Sequence, residues 1–183
     1  MKFKITALAF GIFFMFALSS CLHVEKKQYT FELTGENSGK LTVKYINIFS
    51  NKESDTLDIS EKDYESLVNE YLEGAKLEED YPGARNFKKR VFEENGVLCG
   101  EVTMEFENLD VVKLFKYDKA SPMMYYYKGA NDEKYLETNG KTTNSMPVVF
   151  WDKAMKKLTL TTKLDEVSAS SVSLVEQYRK KKK

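Results

Sequence analysis

Histidine occurs once in the 183-residue chain, cysteine twice and proline three times, and basic and acidic side chains balance at 28 each. Each scarcity removes a class of chemistry. With His23 alone, a Ser-His-Asp or Cys-His nucleophile within the domain is excluded, and so is a histidine-rich zinc site. Two thiols cannot build a four-cysteine centre or one of three cysteines and a histidine, so no metal is implied. No Gly-rich loop follows a strand and opens a helix, which leaves no phosphate cradle and implies no cofactor; "GENSG" lies between two strand-like runs and reads as a hairpin turn. Charge neutrality supplies no positive field for nucleic acid. Past the first residues, no window reaches 18 uncharged apolar residues, so no transmembrane span is expected.

What is present begins at the amino terminus. Met-Lys-Phe-Lys is a short positive segment, and Ile5 to Ala17 form an uncharged apolar stretch of 13 residues. That is the length of a signal-peptide core and too short to span a bilayer comfortably. The stretch ends in Leu18-Ser19-Ser20-Cys21. This ending resembles the lipobox of bacterial lipoproteins. The resemblance implies cleavage between Ser20 and Cys21 and a Cys21 thiol alkylated by a diacylglyceryl group, a reaction suited to a thiol far better than to a hydroxyl. Two or three acyl chains, at about 0.8 kcal/mol per buried methylene, would hold the chain without a transmembrane helix. An ordinary secretory signal with a chance cysteine is the plainer alternative. Leu22, rather than aspartate, follows the anchor; in enteric bacteria the aspartate marks inner-membrane retention, so outer membrane is favoured over inner.

The expected organisation follows. Residues 1–20 are a removable lipoprotein signal, 21–28 a lipidated anchor and polar tether, 29–164 a globular domain, and 165–183 a C-terminal helix and basic tail. Loss of the signal leaves 163 residues, one domain in size, with 26 basic against 28 acidic side chains. Cys99 then has no intramolecular disulfide partner. Its strand sets it beside Glu101, Thr103 and Glu105, which favours an inert thiol.

Tyr29, Phe31 and Leu33, then Leu41, Val43 and Tyr45, alternate with polar residues as an antiparallel strand pair. Ser60 with Asp63 approximates a capping box ahead of the stripe Tyr64, Leu67, Val68, Tyr71 and Leu72, and Gly74 closes that helix. Asn95-Gly96 predicts a type I′ hairpin pairing Glu94 with Val97, Phe92 with Cys99, Val91 with Gly100, Lys89 with Val102, Phe87 with Met104 and Arg85 with Phe106. "LDVVKLF" has no clear type, "PMMYYYKG" and "EKYLET" read as strands, and "MPVVFWD" with "KLTLTTKL" reads as a second hairpin. Leu164, Val167, Leu174, Val175 and Tyr178 share a helical face before Lys180, Lys181, Lys182 and Lys183.

The fold class is therefore α+β: a mostly antiparallel sheet of about seven strands, one amphipathic helix on one face, and a C-terminal helix. A closed antiparallel barrel is the alternative. The stretches "EYLEGAKLEEDYPGARNFKKRVFEENG" and "MPVVFWD" are similar to small uncharacterised lipoproteins of Bacteroidota-type bacteria, a resemblance that implies no activity.

Two surfaces are candidate contacts. Tyr125, Tyr126 and Tyr127, with Trp151, could form an exposed aromatic patch for an envelope protein, a glycan or a lipid; the plainer reading puts them in the core. Lys180 to Lys183 could touch anionic headgroups, the plainer reading being a solvated tail. A non-catalytic lipid-anchored binding or assembly module leads among functions and predicts an exposed apolar patch without a polar cleft. A small-molecule or lipid carrier with an internal apolar cavity comes second. A carboxylate-based hydrolase comes third, with two acids converging in a cleft.

Overall fold

Alternation of apolar and polar side chains sets the frame. The computed structural model describes residues 22–52, 58–128, 133–143 and 145–182. β1 (Leu22–Leu33), β2 (Gly39–Asn51), β3 (Arg85–Glu94), β4 (Val97–Phe106), β7 (Lys134–Thr138) and β10 (Lys157–Lys163) form the main sheet in the order β3-β4-β2-β1-β10-β7. β11 (Ser171–Ser173) pairs with the far end of β2, giving seven strands. β5 (Leu114–Phe115), β6 (Met123–Tyr126), β8 (Lys141–Thr143) and β9 (Met146–Trp151) make a second sheet in the order β5-β6-β9-β8. All pairings are antiparallel, and the fold is the α+β class read from sequence rather than a closed barrel.

One face of the main sheet is wet. Lys44 pairs with Glu94 at 2.5 Å, Arg90 with Glu101 at 2.8 Å, and the Thr42 and Thr103 hydroxyls lie 3.3 Å apart. The other face is covered by two different lids. Over the Leu33 end lies the second sheet, which presents Leu114, Tyr125 and Val149 as one buried row against Phe31, Leu41, Val43 and Leu158. Trp151, fully buried, meets Phe31 edge-on at 6.2 Å and donates its indole N–H to Asn139 at 2.9 Å. Over the Leu22 end lie α1 (Ser60–Ser66, continued by a π-helical Leu67–Leu72) and α3 (Val175–Lys181), packing Tyr64, Leu67 and Val175 on Ile48 and Leu98. α2 (Lys76–Glu79) sits between the lids.

Several local expectations change. The polar tether is, from Leu22 onward, the first half of β1, because Leu22 and Val24 pair along β2 and pack under the helices. The N-cap position of α1 is Ile59, which has no capping side chain, and Asp58 just before it accepts from the Ser60 N–H at 2.8 Å. Asp63 instead turns inward to receive the Ser50 hydroxyl. Gly74 does follow the helix, and a Cβ there would lie 2.5 Å from the Glu70 carbonyl oxygen. The Asn-Gly hairpin register holds from Glu94 to Lys88; Asn86, at φ 55°, then shifts it, so that Arg85 meets Glu105 rather than Phe106. "MPVVFWD" and "KLTLTTKL" are not a hairpin: the chain leaves the second sheet after Trp151 and enters the main sheet as β10 between β1 and β7. "LDVVKLF" is a 3-10 turn followed by β5. The C-terminal helix is shorter than its apolar spacing suggests, since Ser171–Ser173 pair as a strand first.

Candidate functional site

The alternation of β2 breaks at Asn47, whose φ of 58° lies in the left-handed region. Leu41, Val43 and Tyr45 face the lids, and beyond the break Ile48 does too. β1 shows the same offset: Lys27, Tyr29 and Phe31 share the covered side with Val24 and Leu22. Asn47 braces the break by donating to the Glu25 carboxylate at 2.8 Å, a bond that holds Glu25 below the usual carboxylate range. On β4 the covered row runs Leu98, Gly100, Val102, and Gly100 brings no side chain to it. The two lids do not meet above this spot.

The result is a cleft of about 480 Å3 between them. Leu22, Val24, Ile48 and Gly100 form its floor, and Leu67, Tyr71 and Leu72 form the helix wall. Leu77 and Asp80 close it from the α2 side, while Lys27 and Lys89 enter from β1 and β3. The volume falls within the range of small-molecule sites. It is open and mixed in character, so neither an enclosed apolar cavity nor a surface without a polar cleft describes it.

A polar cluster stands behind Lys27. Glu133, 8% exposed, accepts from the Tyr29 hydroxyl at 3.0 Å and the Thr162 hydroxyl at 2.6 Å, and its Oε1 lies 3.3 Å from the Lys27 ammonium. Burial pushes the phenols of Tyr29, Tyr45, Tyr81 and Tyr125 well above the normal tyrosine range, with neighbouring acids and phenols adding to it. Lys89 is held on the other side, 2.8 Å from Glu78 Oε1 and 2.5 Å from the Gly74 carbonyl oxygen.

The predicted tyrosine patch is divided. Tyr125 is 7% exposed and Trp151 fully buried; both lie on the side of the second sheet that packs on Phe31, so both are core. Tyr127 is half-buried, and Tyr126, 57% exposed, points outward. It belongs to a different surface. Across the outer face of the second sheet, Phe115, Met124 and Phe150 form one row that ends at Lys141, with Met146 exposed nearby.

Cys21, Ser20 and Lys183 lie outside the described residues. Lys180, Lys181 and Lys182 are exposed, Lys181 standing 3.8 Å from Glu65. His23, placed by sequence in a tether, stacks on Phe49 at 5.4 Å and meets Asp165 at 3.3 Å. Cys99 is buried beside the wet face, and desolvation raises its thiol pKa. Among the described residues, no three His, Cys, Asp or Glu side chains gather as a metal site, and no helix is long and apolar enough to cross a membrane.

Sequence reasoning missed the cleft because it began the domain at Tyr29. The signal was there: Leu22 and Val24 alternate with His23 and Glu25, the pattern of a strand already under way. Compared with known proteins, the chain matches no family model, no curated protein and no solved structure.

Proposed function

We propose that the chain is a non-catalytic, lipid-anchored lipoprotein of the bacterial cell envelope whose cleft binds a small amphipathic molecule. The observation that carries this reading is the position of the cleft: its floor begins at Leu22, the residue bonded to Cys21. A diacylated Cys21 would set the cleft mouth against the bilayer surface, where amphiphiles are concentrated. The outer membrane is the favoured site, as the residue after the anchor suggests.

Two features support a binding role over catalysis. Both oxygens of the buried Glu133 are already occupied by Tyr29, Thr162 and Lys27. His23, the sole imidazole, bonds Asp165, and no hydroxyl or thiol is hydrogen-bonded to it among the described residues. The lysine tail fits the same orientation. β11 pairs with β2 at Phe49 to Asn51, where Leu22 also pairs, so α3 and its lysines leave from the anchor end of the sheet. Lysines there would meet anionic headgroups and fix the tilt of an already moored domain.

The test is mass measurement and fractionation of the natural product. Acylation at Cys21, membrane recovery of the parent chain and aqueous recovery of Cys21→Ser are expected. An unmodified amino terminus, or unchanged fractionation of the variant, would overturn the anchored reading.

A further inference from the structure

The two ends of the cleft differ in chemistry. Near the start of β1 it is lined by Leu22, Val24, Ile48 and Leu67; toward α2 it meets Lys27, Lys89 and Asp80. From Leu22 to Lys27 a strand covers about 17 Å. An occupant of this shape has an apolar body and a polar head, the body nearer the anchor.

The sign of the head follows from which charges are already satisfied. Lys27 lies 3.3 Å from Glu133 and Lys89 lies 2.8 Å from Glu78, while Arg90, which reaches the cleft rim from the wet face, lies 2.8 Å from Glu101. Every basic side chain lining the cleft thus has a carboxylate. The acids are left over. The Asp80 carboxylate, exposed at the cleft edge, makes no hydrogen bond or ion pair among the described residues, and Glu78 Oε2, behind Lys89 and outside the cleft lining, is buried without a partner. An anionic head would meet bases that are already paired and add to this surplus of acceptor oxygens, and an uncharged one would leave the exposed Asp80 to solvent alone. A donor-bearing cation matches it.

Resting on the cleft being a binding site, we infer that its ligand is a single-chain amphiphile with a protonated amine, the ammonium at Asp80 and the chain over Leu22, Val24 and Ile48. A two-chain lipid is too large for 480 Å3. Gly100 is what keeps the floor open: a Cβ there would lie 3.2 Å from Ile48 Cδ1 and 3.8 Å from Tyr45 Cβ, and a longer side chain would fill the cleft.

The exported chain carrying Cys21→Ser, titrated calorimetrically with decylamine, decanoate and decanol below their micelle concentrations, tests this. Decylamine is expected to bind at least tenfold more tightly than decanoate. Asp80→Asn should lower decylamine affinity three- to tenfold and leave decanol unchanged. A further arm with a single-chain phosphoethanolamine lipid separates sources: tighter binding than decylamine assigns the amine to a membrane lipid, weaker binding to a free amine, and both keep the amine at Asp80. Decanoate or decanol binding as well as decylamine overturns the amine while leaving the cleft as the site. Failure of all three probes, or binding untouched by both Gly100→Leu and Leu72→Trp in folded protein, overturns the cleft itself.

Discussion

Glu133 and Lys27 show how a charge is kept inside this fold. The carboxylate has two hydroxyl donors, Tyr29 and Thr162, as well as the ammonium, so removing different members has different costs. Tyr29→Phe deletes one charge-assisted bond and leaves the other two, a loss of about 1.5–3 kcal/mol. Glu133→Leu strands a largely buried ammonium, which costs about 3–5 kcal/mol. Urea denaturation of the two variants should therefore rank Glu133→Leu below Tyr29→Phe; the reverse order would mean that the ammonium escapes to solvent.

The phenols make a pH prediction at the same scale. Tyr29, Tyr45, Tyr81 and Tyr125 ionise far less readily in the folded chain than in the unfolded one, where tyrosine titrates near 10. Their contribution to stability is complete below pH 10 and declines above it, since the unfolded chain then releases protons that the folded chain retains. Ultraviolet titration should find these four of the 11 tyrosines silent until the fold opens. On the acid side Glu25 works the other way: its lowered pKa stabilises the fold above the ordinary carboxylate value of 4.5, and that contribution is lost as pH falls further. Four phenols titrating normally at pH 10 in native protein would contradict the packing described.

At the scale of elements, the join between the two sheets is the critical one. Asn139 accepts from the Trp151 indole at 2.9 Å and from the Thr159 backbone N–H at 2.8 Å, tying β9 to β10 across the point where the chain changes sheets. Trp151→Ala removes the largest fully buried side chain and that tie together, an expected loss of about 3–5 kcal/mol by thermal or urea unfolding. A loss below about 1 kcal/mol would mean that the second sheet is not packed as a lid.

This join was also where sequence reading failed. Period-two alternation identifies "MPVVFWD" and "KLTLTTKL" as strands, but alternation is a local signal and says nothing about which partner a strand chooses. The Asn-Gly hairpin was legible because a two-residue turn fixes its own register, and legibility stopped at Asn86, a bulge with no sequence mark of its own. Tyr125 and Tyr126 were correctly set on opposite faces by parity. Which face was core depended on Phe31 and Trp151, both distant in the chain, so the partner patch was drawn through side chains that are buried.

Over the whole molecule, the sheet has one covered face and two lids of unlike construction, and the cleft exists because a helix and a small sheet do not meet seamlessly above Gly100 and the offset at Asn47. None of its contributors is unusual by itself. They converge from separate segments of the chain, which is why the site was invisible to any motif. The outer face of the second sheet, with Phe115, Tyr126 and Met146 exposed, is the competing surface for an apolar ligand. Amide and methyl chemical-shift mapping with decylamine separates the two directly. Shifts concentrated at Leu22, Val24, Ile48, Leu67 and Leu72 are what the account predicts; shifts confined to Phe115, Met124, Tyr126 and Met146 would contradict it.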